Sequence, residues 1–395
     1  MTVFINAASA NMGGAVTYLR NLLEHLPRAA PESRFIVCVP DHTRRYLAPL
    51  VTSAQIHFQV YPHARTGGVQ RFLFDQLTVP QQVRETRSDV LFSSTGFGTW
   101  RARCPQVLLV RNTVYFDKTF MRTHQGQNRS LGRTLLRRWL SLTSIARAQL
   151  VLFPTRAMGD MVAAHAWFAL PQTQVLHYGL DASFQRLLCS EEEPSNETHS
   201  LAQRMQAWRE DGYIVLLNVS TYAVHKNFEV LIEALPLLRA HRPQLKLVTT
   251  TSEAQTGAKE AYRALKERGE QLGLEGMWEE GGYVDHADLP GLYRQADVFV
   301  FPSFTESFGH PLVEALAFGL PVAAADTAVN REICEQAGYY FDAFSPPDLA
   351  RTVLEALERG QAASSRTRAA HFSWTRYARV LMNMFHGLAD SQPTP

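Results

Sequence analysis

A chain of 395 residues with 46% hydrophobic and 19% charged residues is too long for one ordinary core and apolar enough for two packed domains. Its four cysteines (Cys38, Cys104, Cys189, Cys334) are scattered with no CxxC pair, which excludes a disulfide frame and a zinc finger and reads as free thiols in a reducing, cytoplasmic compartment. The formal net charge of +2 hides an asymmetry: residues 1–184 carry 20 Lys+Arg against 9 Asp+Glu, a net +11, and the remainder 19 against 28, a net −9, so the two halves are expected to face different partners.

The N-terminus, MTVFINAASANMGG, has neither a basic n-region nor a long apolar h-region. No stretch approaches the roughly 20 apolar residues that cross a bilayer, which predicts a soluble or membrane-peripheral protein. From there the chain alternates short β-branched runs with amphipathic ones. Strands are expected at 2–7, 34–40, 56–62, 90–94, 106–112, 150–155 and 174–179, with helical patterns such as AVTYLRNLLEHL (15–26) and MGDMVAAHAW (158–167) between them. The alternation resumes with strands at 213–220, 245–251, 277–284, 298–303, 320–326 and 339–344. Strands alternating with helices argue for parallel sheets of βαβ units, and two such series for two doubly wound, Rossmann-like α/β domains. The expected division is 1–190, 205–370, and a last amphipathic helix over 371–390, with the acidic, aperiodic SEEEPSNETHS (190–200) as linker.

The densest motif is VFVFPSFTESFGHPLVEALAFGLPVAAAD (298–326). A strand ends at Pro302, a loop runs through His310, Pro311 suits the first turn of a helix, and Gly319 suits its stop. Loops at the carboxyl ends of parallel strands bind ligands, and the amides around Gly309 and His310 stand at a helix N-terminus, a natural anion site. Glu306 in the loop and Glu314 in the first helical turn can accept hydrogen bonds from sugar hydroxyls. By spacing alone two glutamates eight apart are a weak signal, and a turn residue with a solvated helix charge is the reading that spacing favours.

In full, Glu306, Phe308-Gly309, Pro311, Glu314, Ala315 and Gly319-x-Pro321 resemble the C-terminal donor-binding motif of glycosyltransferase family 4, which has the GT-B fold. MGGAVTYLRNLL (12–23) resembles its N-terminal glycine loop, VLHYGLD (175–181) the end of its first domain, NVSTYAVHKN (218–227) its phosphate-binding loop, GGYV (281–284) its base-contacting loop, and the last helix its crossover helix. The resemblance therefore covers nearly the whole chain. It implies two domains facing across a cleft, a nucleotide-sugar donor, and transfer of a hexose with retention of configuration; a glycan or lipid-linked acceptor, the latter on a lipid phosphate, is expected from the +11 charge of the first half. It also implies that Glu314 holds the ribose hydroxyls, that Glu306 with the backbone after Phe308 holds the transferred sugar, that Lys226 neutralises the diphosphate, and that Tyr283 lies by the base. Gly13 and Gly14 let backbone approach phosphate closely, though a plain tight turn fits that pair as well.

Two positions depart from the family pattern. Thr221 stands five residues before the lysine, where many members have Arg, so diphosphate charge falls to Lys226, helix termini and His225. Arg111-Asn112 stands where many members have His-Asp. Arg111 is either a substitute cation of the site or a salt-bridged surface arginine, and the catalytic standing of Asn112 is equally open. With no DxD triplet, HxxxH or cysteine pair, no metal or other cofactor is expected.

Arg129, Arg133 and Arg137 recur every four residues on a helix expected over 131–148, beside an apolar line of Leu131, Leu135 and Trp139. Residues 101–150 hold nine Arg and Lys118 against Asp117. An ordinary core helix with a solvated face fits this pattern, and so does a basic amphipathic helix on an anionic membrane surface. No helix-turn-helix, zinc finger or RNP signature points to nucleic acid. The whole reads as a cytoplasmic or membrane-peripheral transferase of cell-surface polysaccharide synthesis. A sugar-nucleotide epimerase and a non-catalytic sugar-binding module are alternative uses of the fold.

Overall fold

The structure is a computed structural model that describes residues 1–11, 13–61, 68–123, 128–181, 184 and 200–391. The linker expected at 190–200 lies, except for Ser200, outside the described residues, as does Cys189. Two compact units form: Met1–Gly179 with Ser373–Pro395, and Leu180–Phe372.

Among the described residues the first unit holds a seven-stranded sheet of β1 (Thr2–Asn6), β2 (Arg34–Pro40), β3 (Ile56–Tyr61), β4 (Val90–Ser93), β5 (Gln106–Leu109), β6 (Leu150–Phe153) and β7 (Gln172–Val175) in the order β3-β2-β1-β4-β5-β6-β7. Every ladder is parallel. The second unit holds β8 (Ile214–Asn218), β9 (Leu245–Thr249), β10 (Trp278–Glu280), β11 (Val298–Phe301), β12 (Val322–Ala325) and β13 (Gly338–Phe341) in the order β10-β9-β8-β11-β12-β13, again all parallel. Both are the doubly wound α/β order that the alternation predicted, with the strand order reversing at β1/β4 and at β8/β11. Central strands such as VLFS (90–93) and VFVF (298–301) are apolar throughout because helices cover both faces, and all their residues are buried.

Most of the expected elements are shorter than their patterns, as three of them illustrate. The 277–284 run is a strand only over Trp278–Glu280. Gly282 takes φ +69°, and a Cβ on Gly281 would lie 2.4 Å from Leu201 Cδ2, so this glycine pair turns the chain tightly out of the sheet. The 174–179 run pairs only to Val175, at the exposed edge. The 158–167 pattern begins earlier, at Arg156, because Thr155 caps the Met158 amide, and ends at Ala163.

The last helix, Trp374–Asp390, packs within the first unit. Tyr377 shares a 2.8 Å hydroxyl hydrogen bond with Tyr18 of the Gly14–Ala29 helix, Trp374 stacks on Tyr178 with centroids 5.7 Å apart, and Phe385 meets Phe92 of β4. All of these rings are buried.

Candidate functional site

Two loops leave the second sheet at the carboxyl ends of neighbouring β8 and β11, where its strand order reverses. After β8 the chain makes a single 3-10 turn, Val224–Lys226, and then the left-handed residue Asn227 (φ +57°). Buried Asn227 donates its side-chain amide to Ala343 O at 2.6 Å and Pro302 O at 3.3 Å, which pins this loop to the one after β11. The Phe304 amide adds a second tie by donating to His225 O at 3.1 Å. In the sequence Asn227 carries no signal beyond that of a turn-prone residue before an apolar helix.

Between these ties Lys226 Nζ donates to Glu306 Oε1 at 2.5 Å, with the two side chains 22% and 14% exposed. A solvated surface lysine is therefore not what the fold makes of Lys226. Burial acts to raise the Glu306 carboxyl. The charges of Lys226 and then His225, with hydrogen bonds from Lys226 and Ser303, outweigh it and hold Glu306 below the usual carboxylate range. The pair presents an ionised carboxylate and a cation together at the sheet edge. Thr221 is exposed in the same loop.

The loop after β11 ends at Gly309, which takes φ +86° and opens the His310–Phe318 helix. No side chain caps that helix, its first turn holds no acid, Pro311 sits at its start, and Gly319 (φ +76°) stops it. Phe308 is buried edge-on to both His310 and Phe372, so the anchor beneath the helix start is aromatic. Glu314 falls beyond the first turn, where it was not expected, and its burial overturns the solvated-charge reading. Its Oε2 accepts the Tyr293 hydroxyl at 2.8 Å, and its Oε1 lies 3.4 Å from His286 Nε2. Burial, and then the adjoining Glu314 carboxylate, push the Tyr293 hydroxyl far above its ordinary value, so it stays a protonated donor. Neither Tyr293 nor His286 was foreseen, because each reaches Glu314 from a different element. Tyr283 follows β10 and is exposed.

In the first unit Gly13 takes φ +60° before the Gly14–Ala29 helix, which has no side-chain cap and no acid in its first turn. A Cβ on Gly14 would meet nothing within 4 Å, so the fold itself does not demand glycine there. Arg111, just beyond β5, donates to Gly14 O at 3.4 Å and lies over the Tyr18 ring at 5.4 Å. The structure thus brings Arg111 to the glycine loop. Asn112 does something else: its Oδ1 accepts the Val114 amide at 3.2 Å and caps a 3-10 turn.

The chain matches two family models in series, Glycosyltransferase Family 4 over residues 12–184 and Glycosyl transferases group 1 over residues 202–371. It belongs to glycosyltransferase family 4. A D-inositol 3-phosphate glycosyltransferase of Arthrobacter sp. (strain FB24) is 34% identical over 175 residues, 42% of this chain and 40% of that protein. The O-antigen chain mannosyltransferase B of Escherichia coli is 29% identical over 209 residues, 51% of this chain and 53% of that protein. The family 4 chain thus spans about half or less of the length of these relatives. Among solved structures, Anabaena Alr3699/HepE in complex with UDP-glucose superposes with a TM-score of 0.74 at 18% identity, covering 98% of this chain and all of that one, and so shares its fold.

Proposed function

We propose that this family 4 chain transfers a hexose, with retention of configuration and without a metal ion, from a nucleotide-sugar to a glycan or lipid-linked acceptor in cell-surface polysaccharide synthesis. The observation that carries the reading is the pairing of Lys226 with Glu306, and of Tyr293 with Glu314, on loops and helices at the carboxyl edge of the second sheet. Glu314 accepts the ribose hydroxyls, each of its oxygens keeping a lone pair beyond the protein contact already made. Glu306 and the backbone around Phe308 and Gly309 hold the sugar. Lys226, His225 and the start of the 310–318 helix meet the diphosphate. The solved relative with UDP-glucose supports a nucleotide-sugar donor.

In the reaction the bond from sugar C1 to the diphosphate oxygen breaks, and a bond from C1 to the acceptor oxygen forms. The acceptor proton passes to the departing phosphate, so no separate base is needed. Charge grows on the leaving diphosphate, where a fixed cation and helix amides stabilise the transition state more than the ground state. Purified protein in EDTA, offered UDP-, GDP- and ADP-hexoses, is expected to release one nucleotide class. Glu314→Ala should lower its affinity by at least about tenfold. Abolition of turnover by EDTA, or an unchanged Glu314→Ala, would count against this reading.

The acceptor reading carries a membrane-docking face with it. Val69, Leu73 and Leu77 are exposed along one side of the Gly68–Leu73 helix and the turn that follows it, as are Leu135, Leu136 and Trp139 on the Asn128–Ile145 helix. Trp100 joins the two lines, its ring 5.1 Å from Phe72 and 6.1 Å from Trp139. Arg101, Arg103, Arg133, Arg137 and Arg147 are exposed on the segments that carry this face, whereas Asp117 is buried; the Arg129 side chain lies outside the described residues. Apolar side chains rimmed by cations fit an anionic lipid surface, each cation contributing about 1 kcal/mol near it. No described helix is long and apolar enough to cross a membrane. Flotation with phosphatidylglycerol-containing vesicles should carry the protein up at about 50 mM salt and release it at high salt. Co-migration equal with neutral vesicles, or none with anionic ones, would refute this face.

A further inference from the structure

His286 stands in the loop between β10 and the Leu289–Arg294 helix, a position that no motif drew attention to. Its imidazole lies between two carboxylates from other parts of the second unit. Nε2 is 3.4 Å from Glu314 Oε1, and Nδ1 is 3.9 Å from Asp181 Oδ2. The two carboxylate side chains are 7% and 8% exposed, and His286 is 22% exposed, so the imidazole is the wetter member of the trio. Phe184 packs against the ring at 4.9 Å and itself meets Tyr293 and Phe318. Its own loop adds Asp285 and Asp288, and the cation on the adjoining helix, Arg294, lies over Phe318.

Two buried carboxylates with no cation between them repel each other, and each has lost water. An imidazolium there relieves both, and by holding Oε1 as Tyr293 holds Oε2 it leaves Glu314 a single rotamer. A neutral imidazole carries one N–H only, so it can then donate to one of the two carboxylates but not to both. The charge matters for the donor too, because a diphosphate brings further negative charge towards the same unit.

We infer that His286 is a positioning residue of the donor site: it fixes Glu314 for the ribose and ties nucleotide affinity to its own protonation. This rests on the donor reading of Glu314. Affinity is highest where the imidazole is charged and falls as pH rises through its titration.

The test measures UDP and GDP binding by calorimetry to the full chain from about pH 6 to about pH 8.5, a range that spans an ordinary imidazole titration. The series comprises wild type, His286→Gln, His286→Ala and Glu314→Gln. For the nucleotide that binds, the wild-type Kd is expected to rise about tenfold across the range. His286→Gln keeps an N–H donor but cannot titrate, so it should bind with intermediate affinity and a flat profile. His286→Ala should bind about tenfold more weakly at the acid end and also be flat, with the turnover defect in the donor KM rather than kcat. His286 variants that keep the wild-type affinity and pH slope, while Glu314→Gln binds weakly, would overturn the inference and leave the donor site standing. An unchanged Glu314→Gln, or a wild-type chain that binds neither nucleotide, removes the donor reading and this inference with it. Melting curves of each variant separate lost binding from lost fold.

Discussion

Lys226→Ala is expected to lower kcat/KM for the donor by about 10²–10³-fold, the range seen when one preorganised charge or donor is taken from a developing anion. The residue is fixed on both sides. Its backbone belongs to a 3-10 turn locked by Asn227, and its amine is held by Glu306. It therefore meets the leaving diphosphate with little reorganisation, and most of the loss should appear in kcat. The same variant has a stability signature. Removing the amine leaves Glu306 half-paired in a site where its side chain is 14% exposed, which costs about 2 kcal/mol, less than the ~3–5 for a fully enclosed pair. The folded-state pKa of Glu306 lies below the ordinary carboxylate value, so its contribution is present above that value and is lost as pH falls through the depressed one. Wild type and variant should therefore differ in urea midpoint near neutrality and converge in acid, below about pH 4. Parallel pH dependences would mean that the pair contributes nothing to folding. Unchanged turnover would remove Lys226 from the diphosphate site.

Gly179→Ala should have the largest effect on stability. A Cβ at this position would lie 2.0 Å from Trp374 N and 2.6 Å from Ser373 C, distances at which backbone must move, since no rotamer can relieve the clash. Movement there displaces the start of the last helix, and with it Trp374 and Tyr377 from their buried contacts with Tyr18 and Tyr178. A loss of about 3 kcal/mol or more is expected, at or above the upper end for overpacking. In a unit of this size that lowers Tm by about 6–12 °C. Gly14→Ala is the control: its new Cβ meets nothing within 4 Å, and its Tm should stay within about 2 °C of wild type. Scanning calorimetry decides. If Gly179→Ala melts with wild type, the last helix is not held by this approach of backbone to backbone.

The α/β class, the two sheets and the helix starts at Pro311 and stops at Gly319 were legible because they are written locally. Buried parallel strands are short apolar runs, and a helix end needs a particular residue at a particular φ. The resemblance of 298–326 to family 4 located Glu306 and Glu314 for the same reason, since one strand, loop and helix carry both. What lay beyond reach was everything that depends on a second element. The spacing of Glu306 and Glu314 could not tell a solvated charge from a buried one, and burial of Glu314 follows from Tyr293, twenty-one positions before it, lying against it. The sequence could not show that Lys226, eighty positions from Glu306, is its ion-pair partner. Nor could it place Arg111 beside Gly14, or Asn112 on a cap of its own turn.

By itself, then, the sequence determined the strand and helix periods, the glycine and proline boundaries, the family and the uneven charge of the two halves, all of which rest on neighbours along the chain. Only the tertiary structure decided which carboxylates are buried, what holds them, and that a histidine stands between two of them. Those are electrostatic and packing facts between residues far apart in sequence, and their energies depend on distance and lost water, neither of which a linear pattern records.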